Sequence, residues 1–222
     1  MNRLLLVALA LGALPVAQAD DCRLNLSESR LDFGVMNRTI HRAPSAETLL
    51  GERRLSLTIN CPQPSDMSLF YRALAGHGER FRFTDRGSYE VQVSDAVLDG
   101  QAVELGLIAG QGQAPGTRAN VLAWRPDQGI VPLRDGVPAT GSAFSVQLLV
   151  NAWAQADATL VRDAVTWETS GLFDAVATGQ ARELTLQAGF APAACTANLS
   201  NGGIVDFGRM WAKSLNADKE NA

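Results

Sequence analysis

From Leu55 onward the chain alternates. Leu55, Leu57 and Ile59 are separated by Ser56 and Thr58, and Phe81 and Phe83 by Arg82. Tyr89, Val91 and Val93 alternate with Glu90 and Gln92. Phe144, Val146, Leu148 and Val150 alternate with Ser145 and Gln147, and Leu184, Leu186, Ala188 and Phe190 with Thr185 and Gln187. An apolar–polar period of two predicts half-buried strands, each with one face on a core and one in water. Gly76 and Gly78, Arg86-Gly87, Asp99-Gly100, the stretch 110–117 and Arg134-Asp135-Gly136 punctuate these runs as turns and loops. No long segment keeps a helical period; Ser45 to Gly51 is read as one short helical turn. Many short strands with such turns predict an all-β, antiparallel sandwich.

The first residues follow another pattern. Arg3 precedes an apolar run from Leu4 to Leu14, too short to span a bilayer, and Ala17-Gln18-Ala19 has the small-x-small form of a signal-peptidase site. Residues 1–19 are therefore read as a signal peptide, with the exported chain starting at Asp20. Residues 20–190 form the sandwich. Ala191-Pro192-Ala193-Ala194 is a linker at 191–194, and 195–222 begins a second unit.

That second unit restates the start of the first. Residues 22–34 read CRLNLSESRLDFG and residues 195–208 read CTANLSNGGIVDFG. Cys22, Asn25, Leu26 and Ser27 match Cys195, Asn198, Leu199 and Ser200. Asp32-Phe33-Gly34 then matches Asp206-Phe207-Gly208, with one extra residue in the second copy. In the first copy the apolar residues change parity between Leu26 and Leu31. A strand cannot change faces without a bulge or turn, and Ser27-Glu28-Ser29 is where it fits.

Three cysteines in an exported chain leave one over. Cys61 shares the inward face of Leu55, Leu57 and Ile59, and Cys22 shares that of Leu24. If those strands are neighbours, a Cys22–Cys61 disulfide is sterically natural. Cys195 is then unpaired, its partner expected some forty residues further on.

The leading cysteine, the strand ending in Phe-Gly and the second cysteine after LSLTINC resemble subunits of chaperone–usher fimbriae. The stretch CTANLSNGGIVDFGRMWAKSLN is similar to the opening of a domain of uncharacterised function common in bacterial fimbrial operons, of the beta-fimbria type. The resemblance implies an immunoglobulin-like, pilin-like sandwich lacking its last strand, followed by the incomplete start of a second. It implies a fimbrial (pilus) subunit assembled by donor-strand complementation, with a periplasmic chaperone, an outer-membrane usher and a neighbouring pilin subunit as partners. The protein would then pass through the periplasm to the cell surface. Only Asp20 and Asp21 precede Cys22 after the expected cleavage, so no donor strand is seen, which suits a tip subunit or adhesin with a host or surface ligand.

Composition narrows the remaining classes. The exported part carries 18 basic and 23 acidic residues, a net charge of −5, with no basic cluster for nucleic acid. His41 and His77 are isolated and no Cys-x-x-Cys occurs, so neither a metal nor a cofactor is expected. A serine nucleophile has no partner base, and Asp95 and Asp99 read as turn acids rather than glycosidase carboxylates, so no enzyme is expected. The alternatives are a freestanding secreted β-sandwich binding module or, behind it, a secreted hydrolase. Of the tryptophans, Trp124 and Trp167 read as core. Trp153 is the candidate ligand contact, because parity puts it on the outward face with Gln147 and Asn151.

Overall fold

The computed structural model describes residues 21–37, 46–159 and 161–192. Their strands are β1 (Arg23–Leu26), β2 (Arg30–Asn37), β3 (Glu47–Asp66), β4 (Leu69–Arg72), β5 (Phe81–Thr84), β6 (Gly87–Leu98), β7 (Gln101–Ala102) and β8 (Glu104–Ile108). There follow β9 (Arg118–Ala119), β10 (Leu122–Trp124), β11 (Gly129–Arg134), β12 (Val137–Pro138), β13 (Thr140–Gln155), β14 (Val165–Ala175) and β15 (Gln180–Ala191), with a 3-10 turn at Ala156–Thr159. One sheet has the order β1-β3-β13-β6-β10, with β5 and β7 also on β6. The other has the order β2-β15-β14-β4-β11-β8-β9, with β12 on β11. The all-β sandwich read from the alternation is therefore present.

The predicted inward residues Leu24, Leu57, Ile59, Val91, Val146, Leu148, Leu184 and Leu186 are all buried between the sheets, and so is Phe33 of the repeated motif. Each is apolar and faces its counterparts across the layer, so a one-residue slip of any long strand would turn its whole apolar set to water. A smaller apolar cluster, Phe70, Ile108, Val131 and Leu133, lies apart from this core.

The opening motif has a structural meaning. β1 pairs with β3 in the first sheet, Leu24 opposite Ile59. At Ser27–Ser29 the chain crosses over: Ser27 N still donates to Ser56 O, whereas Ser29 O already accepts from Thr185 N of the other sheet. β2 then runs parallel to β15, the one parallel pairing among the described strands. The parity change seen in the sequence is thus a change of sheet. Asp32-Phe33-Gly34 makes the bend that follows. Asp32 Oδ1 accepts from Gly34 N at 2.7 Å. Gly34 sits at φ +82°, which an L side chain rarely adopts, and the β2–β15 register shifts there. Phe33 is thereby turned inward against Phe83.

Cys22 and Cys61 are joined by a disulfide that ties the start of β1 to β3. Cys195 lies outside the described residues.

Two expectations are corrected. The helical turn expected over Ser45 to Gly51, of which Ser45 lies outside the described residues, is not formed in the described part: Glu47–Gly51 is extended and paired with Ala152–Gln155 of β13. Ala-Glu-Thr-Leu-Leu has no strong strand preference of its own, and pairing with a long central strand decides its conformation. The missing last strand is not missing in this domain. β15 lies between β2 and β14, antiparallel to β14 from Val165–Phe190 to Ala175–Gln180, and supplies Leu184, Leu186, Ala188 and Phe190 to the core.

Both tyrosines of the chain meet in that core. Tyr71 and Tyr89 are 1% and 0% exposed, with hydroxyls 2.9 Å apart. Burial pushes both hydroxyls well above the ordinary tyrosine range, and for Tyr89 the neighbouring Tyr71 adds to it. With folded pKa values above the unfolded value of about 10, their contribution to stability is complete below that pH and is lost as pH rises above it. Each group removes about 1.4 kcal/mol per pH unit in that window. Urea midpoints measured from pH 8 to 11 should fall above pH 10, and much less so in the Tyr71→Phe, Tyr89→Phe double variant. A midpoint flat to pH 11 in the unaltered protein contradicts this burial.

Candidate functional site

The outer face of the first sheet carries the polar side chains that alternate with the core. Near one end a cleft of about 520 Å³ opens on it, lined by Trp153, Arg80, Glu47, Ser88 and Glu90 among others. β13 supplies Trp153, directly opposite Ser88 of β6 on one side and Leu49 of β3 on the other. Asn151 faces Glu90 and Gln155 faces Glu47 in the same register. A β-bulge between Ala152 and Trp153 takes the β3 partner from Gly51 to Leu49, so Leu50 turns into the core and Leu49 lies outward beside the indole. Bulges of this kind re-aim side chains at binding sites.

The wall of the cleft is the turn before β5. Gly76 N donates to Arg80 O, and Arg125 Nη1 reaches Glu79 Oε1 at 2.9 Å, which ties the turn to the segment after β10. Arg80 Nη1 donates to Glu47 Oε2 at 2.9 Å, and its guanidinium lies 4.0 Å from the Trp153 ring centroid. Stacking of this kind contributes about 0.5–1 kcal/mol where solvent reaches it. It holds the indole in place while leaving it half-buried on the cleft. Arg86 pairs with Asp157 at 3.7 Å on the rim. Ser88, Glu90 and Gln155 have no side-chain hydrogen-bond partner among the described residues.

Of the tryptophans weighed from the sequence, Trp153 lies in this cleft, and His77, read as isolated, is also on its lining. Trp124 is fully buried and its indole N–H donates to Gln128 O at 2.9 Å. Trp167 packs between Phe190 and Phe83. Asp95 and Asp99 both hold positive φ, but Asp95 lies at a bulge within β6, where the register with β13 shifts, rather than in the turn expected, and only Asp99 stands at a turn; Asp99 Oδ1 accepts from Ser142 N and Ala143 N. Those two amides lower the Asp99 pKa, a backbone-capping role. Arg80, Glu47 and Ser88 were not picked out in advance. Outward parity on the strand facing Trp153 would have found Ser88 and Glu90, whereas nothing local links Arg80 to either. Among the described residues no cluster of histidine, cysteine, aspartate and glutamate could hold a metal ion, and no helix is long and apolar enough to cross a membrane.

A second depression, of about 710 Å³, lies beside Phe70, Arg72 and Asp174. Arg72 Nε donates to Asp174 Oδ2 at 3.0 Å there, and the Gln128 Oε1 atom on its border is buried without a partner among the described residues.

Comparison with known proteins gives three kinds of match. The family described as "Protein of unknown function (DUF1120)" matches residues 184–222, from within β15 to beyond the repeated motif. YhcE of Escherichia coli (strain K12) is 24% identical over 153 residues, which cover 67% of this chain and 84% of YhcE. Among solved structures, the CupB6 tip adhesin of Pseudomonas aeruginosa aligns over 78% of this chain at 12% identity and a TM-score of 0.38. The chain spans 42% of the length of that adhesin. AggA, the major subunit of aggregative adherence fimbriae type I of Escherichia coli, aligns over 79% of this chain and 97% of its own, at 10% identity and a TM-score of 0.26.

Proposed function

We propose that the chain is a fimbrial subunit at or near the tip of the fibre, exported through the periplasm and assembled by a chaperone–usher system. The observation that carries this reading is the repeated motif. Its first copy is the split opening strand of a sandwich that ends with β15 at Ala191. Its second copy begins at Cys195, four residues later, inside the stretch matched by the family above. A chain that finishes one such domain and immediately opens another has two domains of related build. Residues 22–191 are the distal one, and 195–222 are the first strand and loop of a pilin-like one.

The two domains take different parts in assembly. The first fills the space between β2 and β14 with its own β15, so it takes no strand from a partner. That suits an outermost position, where no subunit follows. The second is the one that a chaperone and then a neighbouring subunit complete by strand addition. An unpaired sheet edge is an aggregation template until then, which is why such a domain needs an escort.

The test is location. An antibody raised against residues 22–191 should label the ends of shed fibres, and the protein should stay in the periplasm of a strain lacking the fimbrial usher. Protein that reaches the medium without an usher, and never sediments with fibres, overturns the reading in favour of a freestanding secreted module.

A further inference from the structure

We propose that the cleft around Trp153 is a binding site for an uncharged saccharide; this rests on the position at or near the fibre tip proposed above and gives it a ligand class. The chemistry of the lining makes the choice. Trp153 offers an aromatic surface, half-buried and held in place by Arg80, to the apolar C–H face of a sugar ring. Around it stand hydrogen-bonding groups without a side-chain partner among the described residues: the Ser88 hydroxyl, the Gln155 amide and the Glu90 carboxylate. A hydroxyl both donates and accepts, so a polyhydroxylated ring can satisfy all three. A concave site with an aromatic surface and a few convergent polar groups is the usual form of a small-ligand site.

Charge excludes the competing ligand classes. Glu47, Glu79, Asp85 and Glu90 outnumber Arg80 and Arg86 on the lining, and Arg80 is engaged by Glu47. An anionic sugar would meet an excess of carboxylates at close range. A cationic ligand would have to share the indole with the guanidinium already stacked on it.

The cleft is also built rather than incidental. The bulge that places Leu49 beside Trp153 interrupts a β3–β13 ladder that is continuous from Ala143 to Ala152. The turn carrying Arg80 is fixed from outside by the Arg125–Glu79 pair.

The experiment uses the exported chain on an array of immobilised oligosaccharides, neutral ones ending in hexose or N-acetylhexosamine beside sialylated and sulfated ones. Neutral members should bind. Trp153→Ala should weaken that binding about tenfold or more, as loss of a central tryptophan does in other interfaces. Glu90→Gln, which keeps the side chain's size, should weaken it about tenfold by removing a charge-assisted hydrogen bond. Both residues face outward, so thermal midpoints should be unchanged; if Trp153→Ala lowers its midpoint, Glu90→Gln and Ser88→Ala carry the test alone. Binding to no saccharide, binding to the acidic ones only, or neutral binding indifferent to these substitutions overturns the inference. Fibre labelling reads the fimbrial role separately. Labelled fibres without saccharide binding refute the ligand class alone, and saccharide binding by a protein absent from fibres refutes the fimbrial role alone.

Discussion

A chain ended at Gly179, without β15 and everything after it, is expected not to fold. β15 carries Leu184, Leu186 and Phe190, each at most 1% exposed. Full burial of such side chains contributes about 1.5–3 kcal/mol apiece, so their loss approaches the whole 5–15 kcal/mol by which a domain is stable. The loss also strands β2, whose described sheet partner is β15, and leaves one side of β14 open. Exported without its last strand, the domain should aggregate or be degraded. A synthetic peptide of residues 180–191 present during refolding should recover soluble protein with a sheet-type circular dichroism spectrum. A chain ended at Gly179 that is soluble and unfolds cooperatively without the peptide would mean that the β2–β15–β14 arrangement is not what closes the sandwich.

The second large effect belongs to the disulfide. Cys22 and Cys61 enclose a sequence separation of 39 residues, for which loop-closure entropy gives a stabilisation of about 4 kcal/mol. The bond also anchors β1, a strand of only four residues whose described partner is β3. Replacing both cysteines by serine should lower the thermal midpoint by about 10 °C, taking 2–4 °C per kcal/mol for a domain of this size. Reductant should do the same to the unaltered protein and nothing further to the double variant. Denaturation curves that differ by less than about 1 kcal/mol would show that β1 is held by its pairing alone.

Much of this was legible in the sequence, for a definable reason. Period-two alternation depends only on local composition and burial, so the inward faces of β3, β6, β13 and β15 could be assigned residue by residue. Asp-Gly pairs at 99–100 and 135–136 were readable as turns because both residues take positive φ there, which few other pairs tolerate. The change of parity at Ser27–Ser29 predicted an interruption at the right place.

Strand partnership was not legible. Leu184 to Phe190 reads as a strand wherever it lies in a sheet, and nothing in it says that it pairs parallel with residues 150 positions earlier. The closure by β15 therefore came from topology, against the expectation that the resemblance had set. Glu47–Gly51 shows the converse, a segment of ambiguous local preference recruited by a long neighbour. Trp153 was found by parity, but its companions in the cleft come from strands and a turn that only the fold brings together. Arg80 stands on that turn, where no periodicity applies.

The account turns on the chain dividing after β15, so that residues 193–222 belong to a different unit from the sandwich before them. The thermal midpoint of residues 20–192, compared with that of residues 20–222, tests this most directly. Because β15 already occupies the position between β2 and β14, the shorter chain should be soluble and melt within about 2 °C of the longer one, less than 1 kcal/mol for a domain of this size. A midpoint lower by 10 °C or more, or loss of solubility, would show that the repeated motif is part of the first domain's own sheet and would contradict the two-domain account.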